Sequence, residues 1–295
     1  MDMTMKRAIL FGLCLSLFTP AILAWGGLGH ATVAKVAYDH LTPEARVIIK
    51  ECLDGMTIVS VASDADTYRS VWQMDLGFVP TNPDDARVKW LKEFDFSTPE
   101  NISPWSHSFT VDEKGEPYLT DNLNGRYINN ILYYTAKLSK QLKENAMNMD
   151  REECKRAISL IVHFLGDMHC PMHIVFPDGP LKGNFKVKYK GKETTYHSFW
   201  DSGIMNQDAP WSFSDLAFLV DTASPAEIAA ICQGDIYDYG RSSARDSWAI
   251  AVKYKENDTI PGRFPAEMRS LLYSQLRNAG YRLAAILNDI FGDVM

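Results

Sequence analysis

The sequence predicts a mainly α fold: a single-domain helical bundle carrying one small β-hairpin. Apolar residues recur at helical spacing through most of the chain. Several of those runs open on a capping residue, and a single stretch alternates with the two-residue period of a strand. With 295 residues, 46% of them hydrophobic, the chain has enough apolar surface for one large core. No repeat period or Gly/Ser-rich linker divides it.

At the N-terminus, Lys6 and Arg7 precede an apolar run from Ala8 to Leu23 that ends on the small residue Ala24. This pattern predicts a secretory signal over 1–24, cleaved before Trp25, and a mature domain over 25–295. The run, at about sixteen residues, is shorter than the roughly 20 that span a bilayer, so no membrane insertion is expected after cleavage. The mature chain would then be secreted or periplasmic and would keep Cys52, Cys154, Cys170 and Cys232. In an oxidising compartment these allow one or two disulfides, and spacing does not choose among the pairings.

Thr42-Pro43-Glu44 places a capping hydroxyl before a proline at the first helical position, with Gly55 closing that helix. Tyr127 to Glu144 is a core helix by its spacing of Ile128, Ile131, Leu132, Leu138 and Leu142. Asp150 opens the next helix, Ser224-Pro225-Ala226-Glu227 is a capping box, and Pro265 to Phe291 is a long C-terminal core helix. Only Asn184 to His197 alternates like a strand, with Phe185, Val187 and Tyr189 against Lys186, Lys188 and Lys190 before Gly191, a hairpin with one basic face. The formal charge of −7 gives no bulk attraction to a polyanion, so any phosphate must meet local positive charge.

The stretch "HFLGDMHCPMH", His163 to His173, places metal-competent groups on a core helix. His163 and Asp167, four residues apart, project along one flank of the stripe formed by Ala157, Leu160, Ile161, Phe164, Leu165 and Met168. Pro171 cannot continue the helix, so the chain bends there and re-aims His173. A second His-x-x-x-Asp pair, His197 and Asp201, follows the hairpin, and His30, Asp66 and His107 add further donors. These eight side chains are twice what one closed tetrahedral site takes, so at least two ions are expected if they converge. Imidazole and carboxylate without a thiolate cluster favour zinc. The His-Glu-x-x-His helix of common zinc proteases is missing.

Taken in order, "WGGLGH", the Asp of "ASDAD", "WSH", "HFLGDMHCPMH", Gly183-Asn184 and "HSFWDSG" resemble the S1/P1 nuclease family, zinc-dependent single-strand nucleases and 3′-nucleotidases related to bacterial zinc phospholipase C. The resemblance covers nearly the whole mature chain. It implies a helical fold of the phospholipase C/P1 nuclease type and three Zn2+ ions. Trp25, through its α-amino nitrogen and carbonyl oxygen, would hold one with His30 and Asp167. Asp167 would bridge to a second, held by Asp66, His107 and His163, and His173, His197 and Asp201 would hold the third. Asp66 would orient the attacking water, Arg69 would neutralise phosphoryl charge, and products would carry 5′ phosphates. His40 and His169 have no ligand role in this scheme, His169 being read as supporting a ligand or packing.

For substrate, the resemblance implies single-stranded nucleic acid or a nucleotide, handled by a monomer. Phe109 is the expected base-stacking residue, Asp112 its polar partner, and Asn184 a further substrate contact. Cys170 stands where family members often carry Gln. Two other functions fit the same residues: a zinc phospholipase C, whose last ligand is Glu where this chain has Asp201, and a secreted zinc-binding protein without catalysis.

Overall fold

A computed structural model describes residues 25–66, 108–117, 131–176, 185–205 and 211–292. The expected signal segment 1–24 and the residues Tyr127 to Asn130 at the start of the first core helix lie outside them.

The architecture is mostly helical, as the periodicity predicts. Helix α1 (Gly26–Asp39) starts directly after Trp25. Helix α2 (Pro43–Cys52) opens as its sequence requires: the Thr42 side chain accepts from the Ala45 N–H, Pro43 takes the first turn, and Glu44 and Lys50 complement the two ends of the helix dipole. Helix α3 (Ile131–Asn145) leads to α4 (Arg151–Met168), whose N-cap Asp150 accepts from the N–H groups of Glu152 and Glu153. Pro171 ends the helical path: Pro171–His173 is a single 3-10 turn, followed by β2 (Ile174–Val175), which pairs parallel with β1 (Phe109–Thr110).

The hairpin forms where alternation places it, from β3 (Lys186–Tyr189) and β4 (Lys192–Thr195). Val187 and Tyr189 are buried while Lys186 and Lys188 face outward. The turn residues Lys190 and Gly191 both have positive φ, 47° and 76°, the turn that matches strand twist. A further strand, β5 (Thr259–Ile260), adds to β3 in parallel; two residues are too short to show a period in sequence. Beyond β4 come the short helical turn α5 (Tyr196–Ser198) and a π-helical turn, Phe199–Gly203. Helices α6 (Phe213–Val220), α7 (Pro225–Ile231) and α8 (Ile236–Ala251) each open on a complete capping box, at Ser212, Ser224 and Asp235. The chain then runs through α9 (Phe264–Phe291).

Helix α9 packs along α1 and also meets α2, α3 and α4. Helix α4 differs from its expected one-sided stripe. From Arg156 to Met168 every residue is buried, because α1, α2, α3 and α9 all pack against it. A helix enclosed on all sides normally carries apolar residues all round, and α4 instead carries His163 and Asp167. Among the described residues no helix is long and apolar enough to cross a membrane.

Candidate metal centre

The site is assembled around α4. His163 and Asp167 stand one helical turn apart, and His163 Nε2 lies 3.3 Å from Asp167 Oδ2. The segment before residue 67 supplies two groups at once. The Ala62 carbonyl accepts from His163 Nδ1 at 2.9 Å, and Asp66 sets its Oδ1 3.6 Å from His163 Nε2. Because a carbonyl only accepts, Nδ1 carries the hydrogen, and Nε2 faces the two carboxylates. His30, from α1, completes this group: its Nε2 is 3.3 Å from Asp167 Oδ1, and its ring stacks on that of His163 at 3.9 Å between centroids. One ligand atom each from His30, Asp66 and His163 lies within 4.8 Å of the others.

The bend at Pro171 aims His173 at a second group. His173 Nε2 lies 3.7 Å from Asp201 Oδ1, and His197 Nε2 lies 2.8 Å from Asp201 Oδ2. Cys170, His173 and Asp201 likewise offer atoms within 4.8 Å of one another. The Cys170 thiol donates to Asp201 Oδ1 at 3.3 Å, a contact that the sequence shows only as a departure from the Gln of family members.

Close approach at two glycines locates Trp25 and Gly26. A Cβ on Gly166 would stand 2.6 Å from His30 Nδ1 and 3.6 Å from the Trp25 indole, so α4 receives both groups only because residue 166 has no side chain. A Cβ on Gly26, which has a φ of 35°, would stand 2.6 Å from Ser202 Oγ and 3.3 Å from the Asp201 carbonyl oxygen. Trp25 and Gly26 therefore touch the elements that carry Asp167 and Asp201, one apiece. Gly166 has a signal in the sequence, since a glycine inside a helix costs about 1 kcal/mol relative to Ala and calls for a packing reason.

All seven described side chains expected as ligands are buried, none more than 8% exposed. Three are carboxylates, Asp66, Asp167 and Asp201, and buried charge requires countercharge. At His163, burial alone pushes the imidazole down, but Asp167 and Asp66 outweigh it and hold the group up at about 9. Burial and the neighbouring His163 push His30 down, which favours the neutral form that binds a metal. At Asp201 burial pushes the carboxyl up, yet His197 and His173 bring it below the usual range. Cations at these two positions would balance the carboxylates, and the imidazole and carboxylate donor set fits a divalent ion.

Other expected site residues fall elsewhere. Arg69, His107 and Asn184 lie outside the described residues. Phe109, the expected stacking residue, is 1% exposed and held in β1 opposite Ile174. Burial follows from its place in a parallel pair covered by α8, where Phe109 Cε2 would meet a Cβ on Gly240 at 3.5 Å. Asp112 serves its own turn, its Oδ1 accepting from the N–H groups of Lys114 and Glu116 at 2.8 and 2.9 Å, and these bonds hold its carboxyl below the usual range. His169 is buried. Its Nδ1 bonds the Leu165 carbonyl at 2.8 Å, and its Nε2 meets Arg282 Nη1 at 2.7 Å.

A family model described as S1/P1 Nuclease matches residues 25–292. Nuclease P1 of Penicillium citrinum is 30% identical over 91% of this chain and 98% of its own length. Endonuclease 2 of Arabidopsis thaliana is 26% identical, with 92% of each chain covered. Nuclease S1 of Aspergillus oryzae is 24% identical over 90% of this chain and 91% of its own.

Proposed function

The chain belongs to the S1/P1 nuclease family, and from that premise we propose that it is a secreted, trinuclear zinc phosphodiesterase. Its substrate is single-stranded DNA or RNA, which it cuts to 5′-phosphorylated products, with 3′-nucleotides as a second substrate. The observation that carries this reading is the position of Asp167, whose Oδ1 faces His30 and whose Oδ2 faces His163 and, at 3.9 Å, His173. One carboxylate meets a histidine of each of the three expected ion sites.

Trp25, His30 and Asp167 would hold one ion. Asp66, His107, His163 and Asp167 would hold the second, and His173, His197 and Asp201 the third. Zinc, when bound, supplies the Lewis acidity that polarises a phosphoryl oxygen and acidifies water toward neutral pH. The chain's own groups do the rest. Asp66, buried beside His163 Nε2, accepts a hydrogen bond from the attacking water and aims it in line with the leaving 3′ oxygen. Arg69, three residues further on, binds a non-bridging phosphoryl oxygen. His163 is held in one tautomer by Ala62, so its ring cannot rotate away from Asp66. In the hairpin, Lys186 Nζ is engaged by Glu193 at 2.7 Å.

Mature protein beginning at Trp25 tests the reading. It should carry three zinc equivalents, degrade single-stranded DNA and RNA to 5′-phosphorylated ends, and leave phosphatidylcholine intact. Turnover of phosphatidylcholine with intact polynucleotide would identify a phospholipase C instead. Zinc binding with neither activity would leave a metal-binding protein.

A further inference from the structure

The four cysteines of the mature domain are not equivalent. Cys170 points its thiol at Asp201, and Cys232 caps the end of α7. Cys52 and Cys154 instead face each other across two helices. Cys52 is the last residue of α2 and Cys154 lies in the first turn of α4, and their sulfurs are 2.8 Å apart. The corner is already drawn together by charge, with Asp54 3.4 Å from Arg151 and 3.6 Å from Lys155. Cys154 is 1% exposed and Cys52 is half-buried, so an external thiol reaches the pair through Cys52.

We propose that Cys52 and Cys154 are joined by a disulfide in the mature protein, and that this bond braces the metal centre. Forming it removes two protons and two electrons, taken up by a disulfide oxidant such as a protein disulfide or glutathione disulfide. The Cys52 thiolate attacks one oxidant sulfur and releases a thiol. The Cys154 thiolate then attacks the Cys52 sulfur of the mixed disulfide, closing the bond and releasing the second thiol. The attacking role suits Cys52, whose thiol is brought below its ordinary range first by the hydrogen bond from Cys154 and further by Arg151.

The bond would close a loop of 102 residues, long enough for a large effect on the unfolded chain. That loop contains Asp66 and the expected ligand His107. Nine residues after Cys154 on the same helix stands His163, and Asp167 follows. The crosslink therefore ties the segment that supplies one set of ligands to the helix that supplies the other, and limits the separation by which an ion would escape. This bracing rests on the zinc reading above, whereas the crosslink itself does not.

Mature protein from an oxidising compartment is denatured and alkylated before and after reduction, then mapped by mass spectrometry. The expected result is a Cys52–Cys154 crosslinked peptide with Cys170 and Cys232 alkylated without reduction. Four free thiols, or a different pairing, overturns the proposal. Cys52→Ser, Cys154→Ser and the double variant should each melt lower by on the order of 10 °C and lose the sensitivity of Tm to a reductant. Zinc release to a coloured chelator should be several-fold faster in the double variant, and an unchanged rate overturns the bracing. A mapped crosslink in a protein without zinc would refute the zinc reading and leave the crosslink standing. Four free thiols in a zinc-loaded nuclease would do the reverse.

Discussion

Oδ2 of Asp167 lies 3.9 Å from Nδ1 of His173, and this approach joins the two groups of metal-competent side chains that the chain delivers from α4 and from the turn Pro171–His173. Asp167 sits at the end of α4 with both oxygens turned toward different histidines. Its removal is therefore not a single-site change.

Asp167→Ala should cost two zinc equivalents of three, retaining the ion on His173, His197 and Asp201. Hydrolysis of single-stranded DNA should fall by on the order of 10³-fold, the scale on which a preorganised charge-stabilising group acts. Metal analysis after dialysis measures the loss. A variant that keeps two equivalents would show that Asp167 serves one ion only.

The N-terminus gives a second prediction. Trp25 is fully buried, and its carbonyl accepts from the Gly29 N–H at 3.0 Å, which leaves one lone pair and the amine for a chelate. One extra residue before Trp25 converts that amine to an amide, whose nitrogen has no lone pair to give. Such a chain should bind two zinc equivalents and lose most of its activity. Three equivalents with full turnover would rule out the amine as a ligand.

Gly166→Ala isolates position from chemistry. Alanine is favoured over glycine in a helix by about 1 kcal/mol, so the helix itself gains. The added methyl nevertheless meets His30 Nδ1 at 2.6 Å and must displace the ring from Asp167. Zinc affinity at the His30 site should fall about 10- to 100-fold, the range seen when the supports of a ligand are disturbed, with helical content unchanged by circular dichroism. A full zinc complement after dialysis against a competing chelator would contradict it.

Much of this arrangement is legible in the amino-acid sequence. Thr42, Asp150 and Ser224 announce their helices because capping is local chemistry between a side chain and a backbone two or three residues on. The pairs His163/Asp167 and His197/Asp201 are visible because helical spacing alone sets them side by side; they meet at 3.3 and 2.8 Å. Long-range relationships leave no such trace. The proximity of Cys52 to Cys154, the use of the Ala62 carbonyl by His163 and the burial of Phe109 all depend on which helices pack together. Arg282 is a further case: an arginine among the core residues of α9 gives no sign in sequence that it reaches His169 at the end of α4, 113 residues away.

That Arg282 contact sets an acid limit on stability. His169 Nδ1 donates to Leu165, so Nε2 must accept from the Arg282 guanidinium, and a proton on Nε2 would face a cation. Burial, followed by the Arg282 charge, lowers this imidazole to about 3, whereas unfolded histidine titrates near 6.5. Between those values the unfolded chain binds a proton that the folded chain refuses, so stability falls as pH falls through the window, by at most roughly 1.4 kcal/mol per pH unit from this group. His169→Gln keeps an acceptor for Arg282 and removes the titration. Urea unfolding of both proteins at pH 6.5, 5.5 and 4.5 should show the variant's stability declining less steeply, by about one proton, while ion loss from the shared metal ligands affects the two alike. Parallel pH profiles would show that His169 takes up its proton without cost.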